Sequence, residues 1–463
     1  MSVKYAVTNP ATGQIESTFP TATDNEIADV LARTGAAYAS WRQVPVEERA
    51  AVLGRVSDLY LERQDELALL ITREMGKPLS QALWELGLVA DIYRYYADQG
   101  PGFLLETEFN PKDGGHAVIR KESMGSLLGI MPWNFPYYQV CRFAGPNLVA
   151  GNAIVIKHAP QCPESSKAIE EIFHDAGLPA DAYINVFASN EQVATMIADP
   201  RIAGVSVTGS ERAGSAVAEV AGRHLKKVIL ELGGSDPFVV LDSDDLAKTV
   251  QDAVLGRIMN AGQACTSSKR MIVVDDLYDE FVAQLAKSFD AVEVGDPTSP
   301  DTEFGPMSSQ GAVDSLMSQI DDAIAHGAEV RAGGGRVEGP GCFVRPTVLT
   351  GITPAMRAYR EELFGPVALV FRVADADEAA QLANGTEFGL GASVYSSDPA
   401  KAAAFAARLD TGMVWINSPE SSAADLPFGG TKRSGIGREL GSLGIDEFVN
   451  KKTIYTPAAT PLD

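Results

Sequence analysis

Cys265 stands in the run Asn260-Ala-Gly-Gln-Ala-Cys-Thr-Ser-Ser, and Glu231 opens a Gly-Gly turn in Leu230-Glu-Leu-Gly-Gly. A thiol among small residues, with a carboxylate to serve it, suits covalent attack on a carbonyl carbon. Thiolates attack carbonyls well even near neutral pH, and a nearby base raises the active fraction. Upstream, Pro132-Trp-Asn-Phe-Pro offers a side-chain amide, Asn134, able to donate to the oxyanion formed by such an attack. A buried structural role is the commonest fate of a free cysteine. Cys141, Cys162 and Cys342 have no comparable company and read as core residues. Ser267 holds a place where a second thiol could form a vicinal disulfide, so that redox switch is not expected.

The rest of the chain must position these groups. At 463 residues it is too long for one ordinary core, so two or three domains are expected. Apolar residues make up 45% and charged residues 21%, as in a globular enzyme. No uncharged apolar run is long enough to span a bilayer. The start lacks the apolar core of a secretory signal, so a cytoplasmic location is expected. The net charge of −23 argues against nucleic acid and anionic membrane as partners, because grip on phosphate backbones comes from Lys and Arg. Four scattered cysteines without a Cys-x-x-Cys pair, and five histidines without ligand spacing, give no metal site.

The first hundred residues read as helices. Thr23 and Glu26 form a capping box, Pro45 and Pro78 can open helices, and Val52, Leu53, Val56, Leu59 and Tyr60 recur at helical spacing. From about 125, β-rich runs alternate with amphipathic stretches, which predicts an α/β architecture with parallel sheets covered by helices. The runs are Ser126–Met131, Ala153–Lys157, Tyr183–Phe187, Gly204–Thr208 and Lys226–Leu230. A second series follows Gly233-Gly234, with Pro237–Leu241, Arg270–Val274, Pro366–Val373, Gly391–Tyr395 and Gly412–Asn417. A boundary is expected near 231.

Together the Cys265, Glu231 and Asn134 segments resemble the aldehyde dehydrogenase superfamily, over nearly the whole chain. The resemblance implies a Rossmann-like dinucleotide-binding domain (1–103 and 123–231), a second α/β catalytic domain (232–446) and a small β oligomerisation arm (104–122 and 447–463). The arm implies a homodimer or homotetramer. It also implies a reaction order. Cys265 attacks an aldehyde, Asn134 and the Cys265 N–H stabilise the oxyanion, hydride leaves for a nicotinamide, and Glu231 activates the water that hydrolyses the thioester.

No Gly-x-Gly-x-x-Gly follows a strand. Instead, the strand ending at Thr208 runs into Gly209-Ser-Glu-Arg-Ala-Gly214, where glycines let a pyrophosphate approach backbone N–H groups at a helix start. By resemblance, Lys157 contacts the adenosine ribose, Glu362 the nicotinamide-side ribose, and Trp133, Ser210, Leu232 and Phe364 line the cofactor cleft. NAD-restricted relatives carry a glutamate where Pro160 stands. A proline neither binds the ribose diol nor repels a 2′-phosphate, so NADP is expected, with NAD possible.

Phe135, Tyr138, Gln139 and Arg142 fall on one helical face, which in the family lines the substrate tunnel. An unpaired Arg142 guanidinium there would welcome a substrate carboxylate, with Ser421 and Ser422 adding hydroxyls. A protein carboxylate as its partner is the alternative. The segments Pro132–Pro136, Lys157–Pro160, Glu231–Pro237 and Gly262–Cys265 resemble those of bacterial succinate-semialdehyde dehydrogenases. Succinate semialdehyde is therefore the leading substrate. Glutarate semialdehyde or glyceraldehyde 3-phosphate are alternatives, and an inactive structural relative is the reading from another class.

Overall fold

The computed structural model describes residues 5–112 and 114–458. The expected domain and arm segments that include residues 1–4, 113 and 459–463 fall outside the described residues at those positions.

A six-stranded sheet runs in the order Gly435–Ile436, Lys227–Glu231, Ile202–Thr208, Ser126–Ile130, Ala153–Lys157 and Tyr183–Asn185. All neighbours are parallel except the first pair. Helices cover both faces, so the central strands are apolar throughout; every residue of Ala153–Lys157 is buried. The chain builds outward from Ser126–Ile130 to Tyr183–Asn185, then crosses back to Ile202–Thr208. The order reverses beside Ser126–Ile130, and the crevice at the carboxyl ends of such strands is where open α/β sheets bind ligands. Met131, Gly209 and Glu231 stand there.

A second sheet has seven strands, in the order Glu329–Ala332, Thr347–Thr350, Val367–Val373, Ser268–Val274, Asp236–Val240, Ser393–Tyr395 and Trp415–Ile416. Only Glu329–Ala332 is antiparallel to its neighbour. Gly435–Ile436 then returns to the first sheet and pairs with Leu230 and Glu231. This pairing is not anticipated by a simple boundary at 231. The segments Thr107–Phe109, His116–Ser123 and Val449–Thr456 form a separate antiparallel sheet, with Val449–Thr456 largely exposed.

Thr23 and Glu26 make the expected reciprocal cap. The helix after Pro78 runs from Leu79 to Phe103, as the proline predicts for its start. The purely helical expectation for the first hundred residues is corrected by a hairpin of Tyr5–Thr8 and Ile15–Phe19. Those strands are too short to alternate visibly. Their burial comes from partners such as Ala188, whose carbonyl accepts from the Tyr5 hydroxyl at 2.9 Å.

The helix Tyr138–Ala150 is buried at every position. It has no capping side chain of its own. Glu85, from the helix Leu79–Phe103, accepts hydrogen bonds from the Tyr137 and Tyr138 N–H groups at 3.0 and 3.1 Å. Its other oxygen pairs with Lys77, and both side chains are sealed from solvent. The Lys77 ammonium also lies 3.6 Å from the Phe135 ring centroid. A carboxylate at a helix start is favourable, but one buried without its cation is not. Lys77→Met is therefore expected to lower stability by about 3–5 kcal/mol, read by urea denaturation, whereas K77M combined with Glu85→Gln should recover part of that loss.

Candidate active site

Cys265 sits where two cavities meet. The first, of about 270 Å³, is lined by Trp133, Asn134, Gln139, Thr208, Gly209, Ser210, Glu231, Leu232, Gly233, Glu362 and Phe364 as well as Cys265. The second is a narrower funnel that joins Cys265 to Phe135, Tyr138, Gln139, Thr266, Glu420, Ser422 and Phe428. A third cavity, of about 290 Å³, shares Ser210 with the first and is lined by Lys157, Arg212, Val193, Ile197 and Val217.

The loop bearing Cys265 is a strained hook. Asn260, Ala261 and Gly262 all have left-handed backbone, with φ of 53°, 52° and 71°. For a non-glycine residue such a conformation costs on the order of 1 kcal/mol or more and must be held by its surroundings. Arg257 does much of the holding. It is fully buried and donates to the carbonyls of Val367 (2.7 Å), Gly262 (3.2 Å), Leu363 (2.8 Å) and Gly365, and to the Ser267 hydroxyl (2.6 Å). Ser267, the position of the absent second thiol, is thus a hydrogen-bonding strut; its hydroxyl also donates to Gly256 at 3.0 Å. Lys269 donates to the carbonyls of Ala264, Cys265 and Ser267 and lies 3.2 Å from Glu362. Sequence reasoning singled out neither cation for this work.

Asn134 is fixed by both ends. Its side-chain nitrogen donates to the Gln263 carbonyl at 3.2 Å, and its own carbonyl accepts from Asn260 at 2.9 Å. One amide hydrogen is used and the second remains for a ligand in the cavity. His158 anchors the same loop from the end of its strand. Nδ1 accepts from the Ala159 N–H at 2.8 Å, so Nε2 carries the hydrogen given to the Pro136 carbonyl at 2.9 Å. Burial lowers its pKa to about 4.

Glu231 ends its strand with both carboxyl oxygens buried and without a hydrogen-bond partner. A side chain at Gly429 would lie 2.8 Å from Oε1, and φ there is +150°. The Pro427-Phe-Gly-Gly turn therefore makes room for the Glu231 carboxyl. Burial, reinforced by the Glu439 carboxyl, holds the Glu231 pKa well above the ordinary value, against the pull of Arg142. Burial also pushes the Cys265 thiol up to about 12. The Cys265 thiol therefore rests protonated at neutral pH.

Arg142 corrects one expectation. Its guanidinium does not stand unpaired in the funnel. It is fully buried, with Nε 2.8 Å from Glu439, beneath the rings of Phe428 and Tyr138 at 4.1 and 4.8 Å. The desolvation cost of a bare guanidinium explains the pairing, and the Glu439 charge raises its pKa further. No local pattern near 142 announces a partner so distant in sequence. Ser421 is exposed, and its carbonyl accepts from Trp415 at 3.1 Å, so it also stays outside the funnel. Ser422 lines it and takes a 3.2 Å hydrogen bond from the Tyr138 hydroxyl.

The cleft presents groups suited to a dinucleotide. The Thr208 hydroxyl is buried without a partner beside Gly209. Lys157 is buried, and its side-chain amine makes no ion pair or hydrogen bond among the described residues; burial lowers its pKa to about 8. Ser210 caps the helix Glu211–Arg223, whose first turn opens on the cleft. Glu362 accepts from the Gly234 N–H at 3.1 Å, an approach that any side chain at Gly233 would block. Trp133 and Phe364 meet edge to face at 5.7 Å. These groups fit a ligand with phosphates, ribose hydroxyls and flat rings. Gly214 does not line the cavities; it admits Leu232, with which a side chain there would collide at 2.6 Å. Pro160 brings no carboxylate, and its carbonyl accepts from Ala6 at 3.0 Å.

A thiol, an amide donor and a buried carboxyl share the inner end of a cleft that fits a dinucleotide, as an aldehyde-oxidising site requires. The model of the aldehyde dehydrogenase family matches residues 2–454. The chain is 56% identical over 450 residues to the succinate-semialdehyde dehydrogenase [NADP(+)] of Deinococcus radiodurans, covering 97% of this chain and 94% of that one. It is 42% identical to a protein of the same description from Mycobacterium tuberculosis, covering 97% and 99%. Among solved structures, the succinic semialdehyde dehydrogenase from Streptococcus pyogenes in complex with NADP+ superposes with a TM-score of 0.96, at 44% identity, over 98% of this chain and 100% of that one. The chain belongs to the aldehyde dehydrogenase family, and the expected family and fold are borne out.

The depressed His158 pKa has a sign that can be checked. Unfolded, the ring takes a proton near its ordinary value of about 6.5; folded, it waits until about 4. Its contribution is complete above about 6.5 and fades as pH falls toward 4. Wild-type stability is expected to drop about 2 kcal/mol more than that of His158→Gln between pH 7 and 5, measured by urea midpoints.

Proposed function

We propose that this chain oxidises succinate semialdehyde to succinate with NADP+. The single observation that carries the chemistry is Cys265 at the junction of cleft and funnel, sharing one cavity with Asn134 and Glu231.

The aldehyde enters by the funnel. Cys265 must lose its proton before attack, and its high resting pKa makes that loss a controlled step. The oxyanion that forms takes hydrogen bonds from the spare Asn134 amide hydrogen and the Cys265 backbone N–H, each worth about 3–4 kcal/mol in such sites. Bound NADP+ supplies the two-electron acceptor. Glu231 then takes a proton from the water that attacks the thioester. Its raised pKa makes it a stronger base than a surface carboxylate, once it is ionised.

NADP is favoured over NAD by the lack of a carboxylate at Pro160 and by two cations, Lys157 and Arg212, in the outer cavity. The apolar wall of Val193, Ile197 and Val217 suits an adenine. The names of the relatives support the same choice. An anionic aldehyde is supported by those names, by the positive charge of Arg142 beneath the funnel wall, and by the Ser422 and Tyr138 hydroxyls. Arg142 acts through its field in this reading and not as an unpaired clamp.

The three-stranded arm, with Leu105, Phe109, Ile454 and Tyr455 exposed, supports assembly of identical subunits. Among the described residues no helix is long and apolar enough to cross a membrane. A cytoplasmic enzyme without nucleic-acid partners remains our reading.

Cys265→Ala is expected to bind NADP+ with unchanged affinity, by fluorescence titration, and to lose turnover by at least about 10³-fold. Glu231→Gln should stall at the thioester, seen as a stoichiometric burst with a slow steady state. In the wild type the steady-state rate should climb as pH rises through the raised Glu231 pKa, and that climb should be missing in E231Q. Initial rates over a panel of aldehydes with each dinucleotide test the substrate; a preference for glutarate semialdehyde or for NAD would displace the reading.

A further inference from the structure

Glu420 is a half-buried acid in the substrate funnel that the reaction above does not use. It lines the funnel with Cys265, Thr266, Tyr138 and Ser422. One of its carboxyl oxygens is sealed from solvent and receives no hydrogen bond. The funnel offers no unpaired cation among the described residues. Arg142 is held by Glu439, and Lys269 is committed to three carbonyls and Glu362.

An anionic aldehyde must therefore bring its carboxylate into a passage that already holds a carboxyl group. Two carboxylates side by side in a dry site cannot both stay ionised, but one proton shared between them makes a good hydrogen bond. We propose that Glu420 determines specificity in this funnel: as a neutral acid it donates a hydrogen bond to the substrate carboxylate, and as an anion it repels it. No covalent bond changes. When Glu420 is ionised in the free enzyme, binding takes up one proton from water.

Burial raises the Glu420 pKa to about 7, with Lys269 opposing. The charged and titratable groups around it are Lys269 and Asp236 on neighbouring strands, Cys265 on its loop, and Tyr138 on the helix opposite. Asp236, also raised by burial to about 8, is near enough for its own titration to matter. The test must separate the two.

The inference rests on the anionic-aldehyde reading. The test uses purified full-length enzyme with saturating NADP+, and succinate semialdehyde and butanal as substrates, between about pH 6 and 9. The semialdehyde carboxyl is ionised over that whole range. The quantity read is the ratio of the two kcat/KM values, in which the ionisations of Cys265 and Glu231 cancel. In the wild type the ratio is expected to be level at low pH and to fall above about pH 7, by up to tenfold per unit. Glu420→Gln should hold the ratio level throughout, with NADP+ affinity by fluorescence titration serving as the check on folding. Glu420→Asp keeps the acid and should keep the fall.

A level ratio in the wild type, or the same fall in E420Q, overturns the proposal; the second result would assign the effect to Asp236. Failure of the enzyme to oxidise succinate semialdehyde at all, while butanal reacts, overturns the substrate reading and this inference with it. That outcome is distinct from a semialdehyde oxidised at a pH-independent ratio.

Discussion

The guanidinium of Arg257 is the constraint on which the site hangs. It lies in the core with no ion-pair partner among the described residues, and burial brings its pKa down to about 9, with the Glu362 charge opposing. Five acceptors drawn from the two active-site loops offset that cost. Because the acceptors are mostly backbone carbonyls, the cation dictates main-chain shape directly. It ties the hook before Cys265 to the Glu362 loop, and so ties the nucleophile to the inner wall of the cleft. A left-handed run of three residues would relax if released. The strain is local, and the cation that holds it comes from a helix that ends just before it.

The resting electrostatics follow from the same dryness. Burial raises the pKa of both Cys265 and Glu231 in a pocket that disfavours charge. A reactive thiolate idling in an aldehyde-oxidising enzyme would be open to oxidation. A neutral thiol lowers that exposure. The glycine at 429 serves this arrangement, since it provides the recess in which the Glu231 carboxyl waits.

Much of this was legible in the sequence because the chemistry sits at strand ends in short runs. Asn134, Lys157, Thr208 to Gly209, and Glu231 each follow a β-rich stretch, and the sheet order brings those ends together. Cys265 and Glu362 were legible through their motifs. The unread parts are long-range pairings. The Arg142–Glu439 bridge joins residues from opposite ends of the chain, and neither flank hints at the other. Glu420 lies in a loop without periodicity, so its inward turn leaves no trace in composition. The hairpin at Tyr5–Phe19 escaped for a similar reason: its strands are fixed by what they pack against and not by their own alternation.

The amine of Lys157 gives the outer cleft an adjustable character. With its pKa near 8, the residue is an ammonium in neutral solution and an uncharged donor in mildly alkaline solution. In the first state it attracts anions; in the second it only hydrogen-bonds to hydroxyls. A chain with so many acidic residues thus keeps an anion trap whose strength is set by the acidity of its surroundings. As that acidity falls, the outer cavity loses one of the two cations, Lys157 and Arg212, that line it.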